Sequence, residues 1–139
     1  MTARPRLFLD ENVSHVYASV LRRLMKIVTL SSAVEEHLEG VKDVDLFREL
    51  RERDFSGIVT LDRHQLEHPE ELEALRDSGL HWIGFSTPEG RGVEVHSQML
   101  ATLMFALPTI VADWPDQPHR HHVRMVTPRH APVRISQPL

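Results

Sequence analysis

Apolar and polar positions along the chain fall into blocks whose period switches between strand and helix. Residues 6–9 (RLFL) form a short apolar run that ends at a carboxylate pair, Asp10 and Glu11, and read as a first strand. Asn12 or Ser14 is placed to cap a helix. Val13, Val16, Val20, Leu21 and Leu24 then recur at helical spacing, with Arg22 and Arg23 outward. Residues 27–30 (IVTL) are β-branched and read as a second strand buried on both faces. Ser32 and Glu35 have the spacing of a capping box, which predicts a short helix over 33–38. Gly40 ends that turn. Asp43 is a good N-cap for a helix that turns Leu46, Phe47 and Leu50 inward.

A third strand follows at 57–61 (GIVTL), with Asp62 directly after it. Pro69 suits the first position of a helix with Glu70 and Glu71 near its positive end, Leu72 and Leu75 inside and Gly79 as its stop. Residues 81–85 (HWIGF) form a fourth strand. This alternation predicts an α/β fold, a parallel sheet with helices on both faces. After a loop at 86–92, residues 94–107 read as a long helix with Leu100, Leu103, Met104 and Leu107 on one face, which Pro108 kinks or ends. The texture changes at Asp113. The expected organisation is one domain over 1–112 and a Pro/His/Arg-rich extension over 113–139. In that extension, 122–126 and 133–136 are either two short edge strands or part of an unstructured tail.

The length, 139 residues, suits a single core. The chain has no cysteine, which removes disulfides, thiolate metal sites and cysteine nucleophiles. Its net charge of −4 argues against a simple basic phosphate binder. It leaves room for a nuclease, because a bound cation inverts the charge of an acidic site. The N-terminal apolar stretch is too short for a signal peptide, and no apolar run reaches the roughly 18 residues of a membrane helix. The cytoplasm, away from any membrane, is the expected location.

Ligands of open parallel sheets bind beyond the carboxyl ends of the strands. Asp10, Glu11 and Asp62 stand at such ends, and Asp43 and Asp45 begin the helix between them. Clustered carboxylates require a proton or a cation, and oxygen-only ligands suit Mg²⁺ or Mn²⁺. Plainer readings stand beside each residue: a capped turn at Asp10, an N-cap at Asp43, a turn residue at Asp62.

The segments LFLDENVSHVYASVL, KDVDLFRELRERDFSGIVTLDRHQL and HPEELEALRDSGLHWIGF, in that order, resemble the PIN-like domains of bacterial toxin–antitoxin systems, with the closest likeness to VapC-type and Asp-Glu-Asn-type families. The resemblance covers roughly residues 6–86. It implies a Rossmann-like three-layer α/β/α fold and a metal-dependent endoribonuclease, the toxin of a pair, using Mg²⁺ or Mn²⁺. Asp10, Asp43 and Asp62 match the family's metal-binding acids, and Glu11 and Asp45 its accessory acids. RNA as substrate, a cognate antitoxin and a homodimer are the implied partners.

Two positions depart from the pattern. His64 stands where many relatives carry another acid, and no acid directly follows the fourth strand. Glu67, Glu70 and Glu71 are candidates to compensate. These departures keep open a second expectation, a non-catalytic PIN-like scaffold that binds a protein.

Arg63 is the arginine best placed to contact substrate phosphate. Arg22, Arg23, Arg48, Arg51 and Arg53 read as solvated helix faces. His64 is a candidate proton donor. His119, His121, His122 and His130 raise a zinc reading, which their irregular spacing disfavours. Trp82 and Trp114 read as packing residues rather than base-stacking platforms. A DNA-binding regulator ranks last, on net charge.

Overall fold

A computed structural model describes residues 4–126, 134 and 136–138. Strands β1 (Arg6–Leu9), β2 (Thr29–Ser32), β3 (Gly57–Thr60), β4 (His81–Phe85) and β5 (Arg120–Val123) form one sheet in the order β2-β1-β3-β4-β5. Every pairing is parallel. Helices α1 (Val16–Leu24), α2 (Ala33–Glu36), α3 (Asp43–Glu52), α4 (His64–Glu67), α5 (Pro69–Ser78) and α6 (Val93–Ala112) connect and cover it.

Successive side chains on a strand face opposite ways, and the strands sort accordingly. Leu7, Leu9, Val59, Ile83 and Phe85 pack with Leu21 of α1 and Met99, Leu103 and Leu107 of α6. Phe8, Ile58 and Trp82 pack on the other side with Leu46, Phe47 and Leu50 of α3 and Leu75 of α5. The fold is therefore α/β with both sheet faces covered, which is why β3 and β4 are buried at every position.

The topology decides where a ligand fits. The chain leaves β1 for β2 on one side, then returns to place β3 on the other side of β1. The gap between β1 and β3 is thus a topological switch point, where connections diverge and a crevice opens beyond the strand ends.

Several boundaries differ from the expectation, each for a physical reason. The second strand runs 29–32 rather than 27–30, because pairing starts where Thr29 meets Arg6; Ile27 is exposed. Ser32 thereby ends β2 and caps α2, and its capping box with Glu35 is formed. That helix stops at Glu36 instead of Leu38, since His37 turns left-handed at φ 57° and the Leu38 N–H bonds back to Ala33. The third strand closes at Thr60 rather than Leu61. Lys42, not Asp43, is the N-cap of α3, which frees the Asp43 side chain for other partners.

The helix α4 was not anticipated; four residues are too few to show a period. Helix α6 runs to Ala112, past Pro108. Proline there removes one hydrogen bond, to the carbonyl of exposed Met104, where water can replace it. Against the expectation from apolar runs, α6 is long and apolar enough to cross a membrane, by length and composition only; its buried stripe packs on the sheet. In the C-terminal extension, the strand expected at 122–126 lies at Arg120–Val123 and joins β4. Residues 133 and 135 of the second expected strand, and His130, lie outside the described residues.

Candidate functional site

Asp10 is the first residue beyond β1, and its N–H still bonds to the Val59 carbonyl at 2.9 Å. The strand therefore delivers its carboxyl group into the crevice with 6% of the residue exposed. One carboxylate oxygen accepts from the Glu11 N–H at 2.8 Å. The other accepts from Thr60 Oγ1 at 2.8 Å and Gln65 Nε2 at 3.0 Å. Burial raises the Asp10 pKa against these hydrogen bonds, and the Glu11 charge adds to the rise.

Asp43 opens α3 opposite Asp10. Gln65 Nε2 donates to it as well, at 3.0 Å. Its pKa is pushed up to about 6, first by burial, then by the charges of Asp10 and Glu71, with a smaller push from Asp62; the Gln65 bond works the other way. Asp43 thus senses three neighbouring acids. Asp10, Asp43, Asp62 and Glu71 line one open cleft of about 440 Å³, together with Glu11 and Lys42.

Thr60 organises the β3 side. A hydroxyl has one proton and two lone pairs, and all are used: it donates to Asp10 and accepts from the Asp62 N–H at 3.0 Å and Asn12 Nδ2 at 3.1 Å. The Asp62 carboxylate accepts from the His64 N–H at 2.9 Å, which tightens the turn into α4. Glu71 reaches the cleft from the first turn of α5, and its Oε2 is buried without a hydrogen-bond partner.

The other sequence candidates lie at the rim of the cleft or outside it. Glu11 is exposed and accepts from the Gly40 N–H at 2.9 Å, at the cleft's rim. Asp45 is largely exposed and turned to Arg48 at 3.9 Å, outside the cleft lining. Arg63 and His64 are exposed and outside it too; the His64 ring meets Glu67 at 2.9 Å. Of the three compensating acids, Glu71 is the one in place. Sequence reading missed Gln65 and the roles of Thr60 and Asn12. A polar residue three positions after Asp62 carries no signal until α4 turns it inward.

His119 and His121 gather around His81, but His122 does not join them. His121 faces His81 across β4 and β5, at 3.3 Å, whereas His122 lies on the opposite face against Trp82. Strand alternation separates them. Among the described residues, no group of three or more His, Asp or Glu stands close enough together to hold a metal ion.

A family model described as a PIN-like domain matches residues 5–87. The chain belongs to the PIN-like domain family. The match ends just beyond β4, so it contains all five acids of the cleft lining and excludes α6 and β5. No curated protein and no solved structure matches the chain. PIN-like domains are often nucleases and generally use divalent metals. The donor set fits such an ion in its chemistry: every acid is a hard oxygen donor, and the orphaned oxygen of Glu71 lacks only a positive partner.

Proposed function

We propose that this PIN-like domain is a metal-dependent endoribonuclease that hydrolyses RNA phosphodiester bonds. One observation carries the reading: Asp10, Asp43, Asp62 and Glu71 converge on one cleft at the switch point of the sheet. Asp10, Asp43 and Asp62 would hold Mg²⁺ or Mn²⁺, with Glu71 as the fourth acid. The bound ion would activate water and offset charge on the phosphate. Thr60 and Gln65 orient Asp10, and Lys42 is the cation on the lining that meets a phosphate oxygen. Glu11 acts from the rim by fixing the Gly40 turn.

The likeness to toxin families supports a role as the toxin of a pair, with a cognate antitoxin in the cytoplasm. A homodimer would use the apolar residues that α6 exposes, Met104 and Phe105.

A second reading is a non-catalytic scaffold that binds a protein. It is favoured by the Gln65 bridge, which satisfies Asp10 and Asp43 without an ion. Purified protein with single-stranded RNA and Mn²⁺ separates the two. Cleavage that is lost in a folded Asp62→Asn variant supports the nuclease. Absence of cleavage, with no rise in melting temperature on adding millimolar Mn²⁺, supports the scaffold.

A further inference from the structure

Gln65 is the one buried residue of α4 and has no exposed surface. Its amide has two unlike ends, and Trp82 decides which way they point. An indole N–H can only donate. Trp82 Nε1 donates to Gln65 Oε1 at 3.2 Å, so Nε2 must face the acids. Nε2 carries two protons, one for Asp10 and one for Asp43, each at 3.0 Å. The amide nitrogen therefore stands in the gap between the two carboxylates.

That gap is also where a shared cation would go. The hydrogen bonds allow the two oxygens a separation of up to twice 3.0 Å, and the diverging N–H bonds of a planar amide hold them well apart. One Mg²⁺ or Mn²⁺, at about 2.1 Å from each ligand, needs them within about 4.2 Å. Amide and ion are mutually exclusive occupants. Among the described residues, no group of three or more His, Asp or Glu is gathered closely enough to hold a metal either.

We propose that Gln65, oriented by Trp82, sets the cation affinity of the Asp10–Asp43 pair by occupying the gap that the ion must enter. This rests on the metal reading of the cleft. The ion binds only as Nε2 gives up at least one carboxylate, so the observed affinity is the intrinsic affinity reduced by the strength of that bridge. Removing the amide destabilises the metal-free protein, leaves the loaded form without a competitor, and so tightens binding by linkage.

The test measures Mn²⁺ affinity by calorimetry and metal-free melting temperature in wild type, Gln65→Met, Trp82→Phe and Asp43→Asn. Methionine keeps the shape of glutamine, carries no donor, and its thioether is a poor ligand for hard cations. Gln65→Met is expected to melt lower without metal and to bind Mn²⁺ up to roughly tenfold more tightly, the scale of one charge-assisted hydrogen bond. Trp82→Phe, which keeps the amide but frees its orientation, is expected to shift both quantities the same way by less. It stands as the test should Gln65→Met not fold. Wild-type binding that Asp43→Asn abolishes, with affinity unchanged or weaker in the Gln65 and Trp82 variants, would overturn this inference and leave the nuclease reading intact. No Mn²⁺ binding by wild type would overturn both.

Discussion

The Thr60 hydroxyl donates to Asp10 at 2.8 Å, tying the end of β3 to the end of β1 across the switch point. Since the same oxygen accepts from the Asp62 N–H and Asn12, Thr60 couples two of the acids. Thr60→Val keeps the shape and β propensity but leaves Asp10 and the Asp62 N–H each short of a partner. It is expected to destabilise the fold by about 1–3 kcal/mol and to weaken Mn²⁺ binding roughly 10- to 100-fold. Thr60→Ser is expected to restore most of the binding. Denaturant unfolding and calorimetry check both, and Thr60→Val with wild-type metal affinity would refute the coupling.

The cleft also ranks its acids. Asp62→Asn and Glu71→Gln are each expected to remove most RNA cleavage, because both residues line the cleft. Glu71→Gln should also raise metal-free melting, since it relieves the push on Asp43 and gives the orphaned position a neutral group. Asp45→Asn, Arg63→Ala and His64→Ala are expected to stay within about threefold of wild type, as exposed groups outside the lining change little. Steady-state cleavage at fixed Mn²⁺ checks the ranking. A large loss in Asp45→Asn with none in Glu71→Gln would reverse it.

What the sequence disclosed divides along the same line. The strands and their parallel sheet were readable, because RLFL, GIVTL and HWIGF are apolar runs closed by acids or loops. So was the meeting of Asp10, Asp43 and Asp62, since each begins or ends an element whose place in a parallel sheet is constrained. Gln65 was not readable: its importance comes from a four-residue helix without periodicity and from Trp82, a strand away. Asp45 matched an accessory acid of the resembled family, but a helix turns residues two apart to different faces, and Asp45 lies outside the cleft lining beside Asp43. Of the two expectations at Pro108, a kink or an end, the end is not seen, because a stop signal loses to tertiary packing of the residues around it.

Gly84 is part of the site although it touches no acid. It lies two residues from Trp82 on the same face of β4, and a Cβ there would fall 1.9 Å from the indole ring. The indole lies over that bare backbone, and from there its N–H reaches Gln65. Gly84→Ala is expected to destabilise the protein by roughly 1–3 kcal/mol through overpacking. It should shift metal affinity in the same direction as Trp82→Phe, by breaking the bond that orients the amide. Urea unfolding and Mn²⁺ calorimetry check the pair. Unchanged stability would mean the indole has room that its present contacts deny.

Asp43 and His81 give the metal-free protein opposing responses to pH over nearly the same window. The Asp43 pKa rises in the fold from 3.8 to about 6, so the native state holds its proton more tightly than the unfolded chain. Its contribution is greatest below pH 4 and is lost as pH climbs to 6. His81 moves the other way, from 6.5 to about 4, through burial first and then the charges of His121 and His119. Its Nδ1 accepts from the His119 N–H at 3.3 Å, and its ring packs on Trp114 at 4.0 Å, an arrangement that suits the neutral form. Its contribution is full above pH 6.5 and falls as pH drops to 4. The variants unmask each slope, since all other titrating groups are common to both proteins. Without metal, the melting temperature of Asp43→Asn relative to wild type should increase as pH rises from 4 to 6. That of His81→Phe relative to wild type should decrease over the same range. Calorimetric scans at four pH values suffice, and parallel curves for all three proteins would mean that neither group titrates as its surroundings dictate.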